Sequence, residues 1–213
     1  MITHKNRVNN YPLANDAAVL AWFGQVAALE IHVPQWRFDP DGNPSPPDRM
    51  VLDLDPGEGA GLQECAQTAL LCRDLLTGMQ LDSYPVTSGS KGIHVYVPLT
   101  GDHTSKEITQ VAHELARALA ADHPDLVVSD MKKTLREGRV LVDWSQNSDA
   151  KTTICPYSLR GRARPTVAAP RTWEEIAAPD LDQLDYREVV TRVKEGIDPI
   201  APLGWKQSPG IPP

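Results

Sequence analysis

Apolar positions recur along this chain in two rhythms, and each rhythm predicts its own elements. Asn15 and Asp16 precede AAVLAWFGQVAAL, in which Val19, Trp22, Phe23 and Val26 repeat at helical spacing, so a helix packing one face on a core is expected. IHVPQWRF is a β-rich run broken by Pro34, and DPDGNPSPPD after it reads as a surface loop. MVLDLD is a strand that PGEGAG stops and turns. GLQECAQTALLCRDLL follows as a helix with Leu62, Cys65, Ala69 and Cys72 on one face, closed by the Gly78 breaker.

Two further strands, LDSYPVT and GIHVYVPL, flank the tight sequence SGSKG. In the second, Ile93, Val95 and Val97 alternate with His94 and Tyr96, so one set is expected to face a core and the other an open surface. Thr104 and Glu107 have capping-box spacing at the head of a long helix ending near Pro124. VLVDW is another short strand, Thr172 and Glu175 form a second capping box, and residues 185–194 read as a last short helix. The closing GWKQSPGIPP is Pro-rich and expected to fray. There is no internal repeat. This order of elements predicts an α+β domain with a largely antiparallel sheet flanked by helices.

With 213 residues and 41% hydrophobic residues, the chain can bury one good core and a small second lobe. The apolar runs are too short for a membrane span, and MITHKNRVNNYP lacks the apolar stretch of a signal peptide, so a cytoplasmic location is expected. Cys65, Cys72 and Cys155 form no CxxC and are read as buried thiols of a reducing compartment. Net charge is −7, but unevenly spread: residues 131–171 hold nine basic against three acidic side chains, the remainder twelve against twenty-five. The +6 window makes a nucleic-acid partner compatible with an acidic chain, bound weakly and with a modest salt slope.

Three clusters carry candidate chemistry. Asp53 and Asp55 lie two apart on a strand, so both carboxylates face one side at its end, and paired hard oxygens suit Mg²⁺ or Mn²⁺. The sequence Ser88-Gly89-Ser90-Lys91-Gly92-Ile93-His94 offers glycines, hydroxyls and a lysine to an anion, although it lacks the Walker spacing and precedes a strand. In isolation that loop is also an ordinary hairpin turn, and His94 an ordinary surface residue. Asp143 lies inside the basic window and completes a possible two-metal carboxylate set, with Arg160 or Arg162 as guanidinium donors to a polyphosphate. Their conjunction in one domain points to metal-dependent phosphoryl or nucleotidyl transfer.

The strings ALEIHVPQWRF, MVLDLDPGEG, PVTSGSKGIHVYVPL, VLVDWSQNSDAKTTICPYSLRGR and PTVAAPRTWEE, in this order, resemble the polymerase domain of bacterial DNA ligase D, in the archaeo-eukaryotic primase superfamily. The resemblance implies a primase-polymerase catalytic core over residues 11–194, with residues 1–10 as an N-terminal extension and residues 195–213 as a Pro-rich tail. It implies Asp53, Asp55 and Asp143 as catalytic ligands of Mn²⁺ or Mg²⁺. Contacts to the incoming nucleotide would come from His32, Ser88, Lys91, Gly92, His94 and Arg160, with Gln146 beside the metals. Lys132, Lys133 and Arg136 would meet the DNA. The implied activity is extension of DNA ends or a primer-template with NTP or dNTP in non-homologous end joining, ribonucleotides preferred, with Ku and a ligase as partners. The family's usual N-terminal segment, which binds a downstream 5′-phosphate, is expected to be missing. A truncated module that binds nucleotide or DNA ends without catalysis is the second reading, disfavoured by the three carboxylates.

Overall fold

The computed structural model describes residues 11–203, together with the backbone of residues 2–4 and 7–9. In chain order the elements are β1 (Ile2–His4), β2 (Arg7–Asn9), α1 (Ala17–Gln25), β3 (His32–Val33), β4 (Arg49–Pro56), α2 (Leu62–Gly78), β5 (Tyr84–Thr87), β6 (Ile93–Pro98), α3 (Ser105–Asp122), β7 (Val127–Val128), β8 (Val140–Asp143), β9 (Thr153–Ile154), β10 (Ala169–Pro170), α4 (Trp173–Ile176) and α5 (Tyr186–Lys194). Short 3₁₀ turns lie at Lys133–Leu135, Trp144–Asn147 and Ala201–Leu203. The GWKQSPGIPP tail, expected to fray, lies outside the described residues.

Six strands form one sheet in the order β10-β5-β6-β4-β8-β7, antiparallel throughout except for the parallel β7–β8 edge pair. The expected α+β class and antiparallel bias are therefore what the chain adopts. Period-two alternation decides what each face carries. Leu52 and Leu54 of β4, Ile93, Val95 and Val97 of β6, and Val140 and Val142 of β8 point to the face covered by α2 and α3, where Cys65, Ala69, Cys72, Ala112 and Leu119 pack on them. Glu64 of α2 reaches back to accept from the Gly61 amide at 2.7 Å, and Thr104 and Glu107 close the expected capping box of α3. Burial pushes the Cys65 and Cys72 thiols far up, as inert core thiols require. Cys155 is less enclosed, half-buried behind the β3–β9 ribbon.

The opposite face carries Val51, Val86 and Tyr96 under Ile154, Ala168, Ile200 and Leu203. Core packing thus continues past residue 194. It also corrects the reading of β6: His94, 4% exposed, and Tyr96 are buried rather than facing an open surface. Both faces of the central strands are covered, and alternation in sequence separates two faces without saying that one is wet.

Helix α1 departs from expectation too. Asp16 caps it by accepting from the Val19 amide at 2.9 Å, yet it buries no residue, and Trp22 is 52% exposed. The Asp16 cap satisfies the first turn of the helix, and the helical face of the sheet is covered by α2 and α3 instead. The VLVDW strand ends one residue early, at Asp143, because that carboxylate turns to accept from the Ser145 amide at 2.9 Å and starts a 3₁₀ turn. Among the described residues no helix is long and apolar enough to cross a membrane.

Candidate active site

Strand β4 runs through the middle of the site. Asp53 lies directly opposite His94 on one side and opposite Asp143 on the other, so three adjacent strands place His94, Asp53 and Asp143 in a row on one face. Asp55 follows two residues on, and ligand oxygens of Asp53, Asp55 and Asp143 lie within 4.8 Å of one another. The Gln146 amide donates to both Asp53 Oδ2 and Asp143 Oδ2, at 3.4 and 3.3 Å. Asp143 Oδ1 accepts from the Ser145 amide and, at 2.5 Å, from the Ser145 hydroxyl, so its carboxylate is held from behind. Asn147 fixes this turn to β4: its side chain exchanges two hydrogen bonds of 2.8 Å with the Val51 backbone.

Three carboxylates this close repel one another. The Asp55 carboxyl, though its edge reaches solvent, is pushed up to about 6, first by lost hydration and then by the charges of Asp53 and Asp143, with His94 and Arg136 opposing. Clustered hard oxygens that resist simultaneous ionisation fit divalent cations such as Mn²⁺ or Mg²⁺, and the three aspartates are the residues that can hold them. The sign follows for pH. A carboxyl raised from 3.8 to about 6 on folding contributes stability that is present below pH 4 and lost as pH climbs through 6. A divalent cation competes with that proton. At one Mn²⁺ concentration, a hundredfold above the Kd at pH 7.5, the rise in melting temperature should therefore be about 5–10 °C at pH 7.5 and clearly smaller at pH 5. Equal shifts at both pH values would remove Asp55 from the cation site.

Above the carboxylates opens a cleft of about 550 Å³, whose walls include His32, Ser88, Ser90, Lys91, Gly92, His94, Arg136, Gln146, Arg160 and Arg162. His94 Nε2 stands 3.2 Å from Asp53 Oδ1, and its Nδ1 faces the Tyr96 hydroxyl at 3.5 Å, which itself donates to the Ile154 carbonyl. His94 therefore belongs to the buried floor of the cleft. His32 arrives on β3, whose two-residue pairing with β9 is the ribbon at the cleft edge.

The Ser88–Gly92 loop is built differently from a backbone phosphate cradle. The Ser88 amide donates to the Gly92 carbonyl, the Gly89 amide to Gln183 Oε1, and the Ser90 and Gly92 amides to the Ser88 hydroxyl oxygen. These amides are used within the protein, so Lys91, the Ser90 hydroxyl and the two arginines are the groups positioned for an anion. Gly89 sits at φ +68°, and a Cβ on Gly92 would lie 2.0 Å from the Leu54 carbonyl oxygen, so turn shape and close approach to β4 dictate both glycines. Arg162 donates to the Ser90 hydroxyl at 2.7 Å and Arg160 to the Ser88 carbonyl at 3.1 Å.

Of the basic loop, Arg136 alone among the three expected residues enters the cleft wall; Lys132 and Lys133 are exposed beside it. Arg136 donates to the Met131 carbonyl at 2.6 Å, while its Nε is buried with no hydrogen-bond partner among the described residues. Sequence reasoning did not single out Glu30, which accepts from the Gly161 amide at 2.9 Å and faces His32 and the Arg160 Nε at 3.4 Å each. It also missed Asn147 and Gln183. Their partners are 96 and more than 90 residues distant, and no local spacing marks them.

Comparison with known proteins supplies the lineage. Residues 1–200 match the family model of the LigD primase-polymerase domain. The multifunctional non-homologous end joining protein LigD of Mycolicibacterium smegmatis is 52% identical over 202 residues, 95% of this chain and 26% of that protein. The bifunctional LigD of Bacillus subtilis is 33% identical over 187 residues, 86% of this chain and 30% of its own length. The chain thus spans about a quarter of the length of the mycobacterial relative. The polymerase domain from Mycobacterium tuberculosis ligase D, solved in complex with DNA, superposes with a TM-score of 0.92 at 49% identity, covering 97% of this chain and 74% of that one. With its carboxylate row and basic cleft on that fold, the chain belongs to the LigD primase-polymerase domain family and is a nucleotidyltransferase.

Proposed function

We propose that this chain extends DNA ends or a primer-template during non-homologous end joining, with ribonucleotides preferred over deoxyribonucleotides and with Mn²⁺ or Mg²⁺ as cofactor. The observation that supports it most is the carboxylate row facing a cationic wall across one cleft. Asp53, Asp55 and Asp143 would hold a divalent cation, which when bound would supply charge neutralisation and Lewis-acid activation of the primer 3′-hydroxyl. Lys91, Arg160 and Arg162 hold the triphosphate, with the Ser90 hydroxyl as a further donor, and Ser88 and Gly92 shape the loop that presents them. His94 fixes one oxygen of Asp53, Gln146 spans Asp53 and Asp143, and His32 meets the nucleotide from the ribbon. Lys132, Lys133 and Arg136 engage DNA phosphates, which position the end without reading its sequence. Ku and a DNA ligase are the partners, and residues 11–194 are the catalytic core.

Extension of a labelled primer-template by the purified chain with Mn²⁺, one NTP or dNTP at a time, tests this. Incorporation is expected, faster with NTP, and absent from Asp53→Ala/Asp55→Ala. Arg160→Ala should raise the nucleotide KM about tenfold, the cost of one charge-assisted contact. Equal incorporation by the double variant would overturn the proposal, and Mn²⁺-dependent nucleotide binding without incorporation would favour the non-catalytic binding module.

A further inference from the structure

One buried amide ties the two ends of the Ser88–Gly92 loop together. Gln183, 7% exposed, accepts from the Gly89 amide at 2.7 Å and donates to the Gly92 carbonyl at 3.2 Å. Its own backbone is held in place: the Gln183 amide donates to Asp182 Oδ1 at 2.8 Å, Arg171 donates to the Asp182 carbonyl at 3.0 Å, and the Val167 amide donates to the Leu184 carbonyl. Val167 also closes against Gly89, and Thr166 donates its hydroxyl to the Gly89 carbonyl. Gln183 does not line the cleft.

We infer that Gln183 is a positioning residue for nucleotide binding: by spanning Gly89 and Gly92 it sets the width of the loop, and so where Ser90 and Lys91 meet the phosphates. The inference rests on the nucleotide site proposed above. A side chain serving both a donor and an acceptor on one five-residue loop constrains the loop's shape more than a single bond does, and an apolar substitute leaves the buried Gly89 amide unpaired and the Gly92 carbonyl held by the Ser88 amide alone. The loop would then relax to reach other partners. Lys91 and Ser90 sit between the two anchored positions and would move with it.

ATP binding in the presence of Mn²⁺, followed by calorimetry on the whole chain, tests the inference. Gln183→Leu should weaken ATP binding about tenfold and raise the nucleotide KM with kcat nearly unchanged, while primer-template affinity stays the same. Gln183→Glu separates positioning from bulk stability. Its charged carboxylate still accepts from Gly89 but cannot donate to Gly92, and its protonated form can do both. Its ATP affinity relative to the unaltered chain should therefore recover as pH is lowered through the titration of that carboxyl. A Gln183→Leu protein that melts earlier but binds ATP as the unaltered chain does would overturn the inference and leave the proposed function standing. If Gln183→Leu fails to fold, a Gln183→Glu ratio that stays constant while that carboxyl titrates overturns it instead. Failure of the unaltered chain to bind ATP would overturn the nucleotide site, and this inference with it.

Discussion

Replacing Asp143 by alanine should abolish nucleotide incorporation, lowering kcat by about 10³-fold or more, the scale of several kcal/mol of lost transition-state charge stabilisation. Asp143 lies directly across the ladder from Asp53, so no other carboxylate can swing into its place without breaking the β4–β8 register. Stability should change far less. Alanine removes an acceptor at the head of the Trp144–Asn147 turn, worth about 1 kcal/mol, and relieves repulsion from Asp53 and Asp55 in the opposite sense. Asp143→Asn keeps an acceptor for Ser145 and should lose activity with even less effect on the melting temperature. Incorporation above a tenth of the unaltered rate in either variant, measured with saturating Mn²⁺ and NTP, would take Asp143 out of the catalytic set.

The second large effect is expected at Gly92, where the cost falls on folding before it falls on chemistry. A methyl group there would lie 2.0 Å from the Leu54 carbonyl oxygen and 3.1 Å from its carbon, backbone atoms that cannot yield as a flexible side chain would. Strand β6 must then move away from β4 at the point where His94 meets Asp53, and the loop bonds from Ser88 and Gln183 to the Gly92 carbonyl move too. Gly92→Ala should cost about 3 kcal/mol and lower the melting temperature by roughly 6–12 °C. Nucleotide incorporation should fall in the protein that remains folded. Gly78→Ala, at a helix end with nothing within 4 Å of the added carbon, is the matched control and should melt near the unaltered temperature. A Gly92→Ala chain that melts with this control would show that the close approach of β6 to β4 is not a constraint.

The expectations from sequence failed in a consistent way. Strand alternation correctly separated Ile93, Val95 and Val97 from His94 and Tyr96, yet both sets are buried, because the second face of the sheet is covered by residues 60 to 110 positions further along the chain. The spacing in α1 correctly gave a helix and its Asp16 cap but not a buried face, since an apolar face is buried only where a partner element meets it. The residue types of the loop SGSKG fit either an anion cradle or an ordinary hairpin turn. Four of its five amides are nevertheless used internally, and the side chains remain as positioned donors.

Sequence by itself determined what each short segment could be. The period of the apolar residues set strand against helix, capping residues set where helices begin, and the i, i+2 spacing put Asp53 and Asp55 on one side of a strand. Those are local properties, fixed by backbone geometry within a few residues. Only the tertiary structure decided that Asp143 lies opposite Asp53, that Asn147 holds β4 and that Gln183 spans the Ser88–Gly92 loop. Strand register and long-range hydrogen bonds depend on which segments share a core, and that is chosen by the burial of the whole chain at once rather than by any window of it.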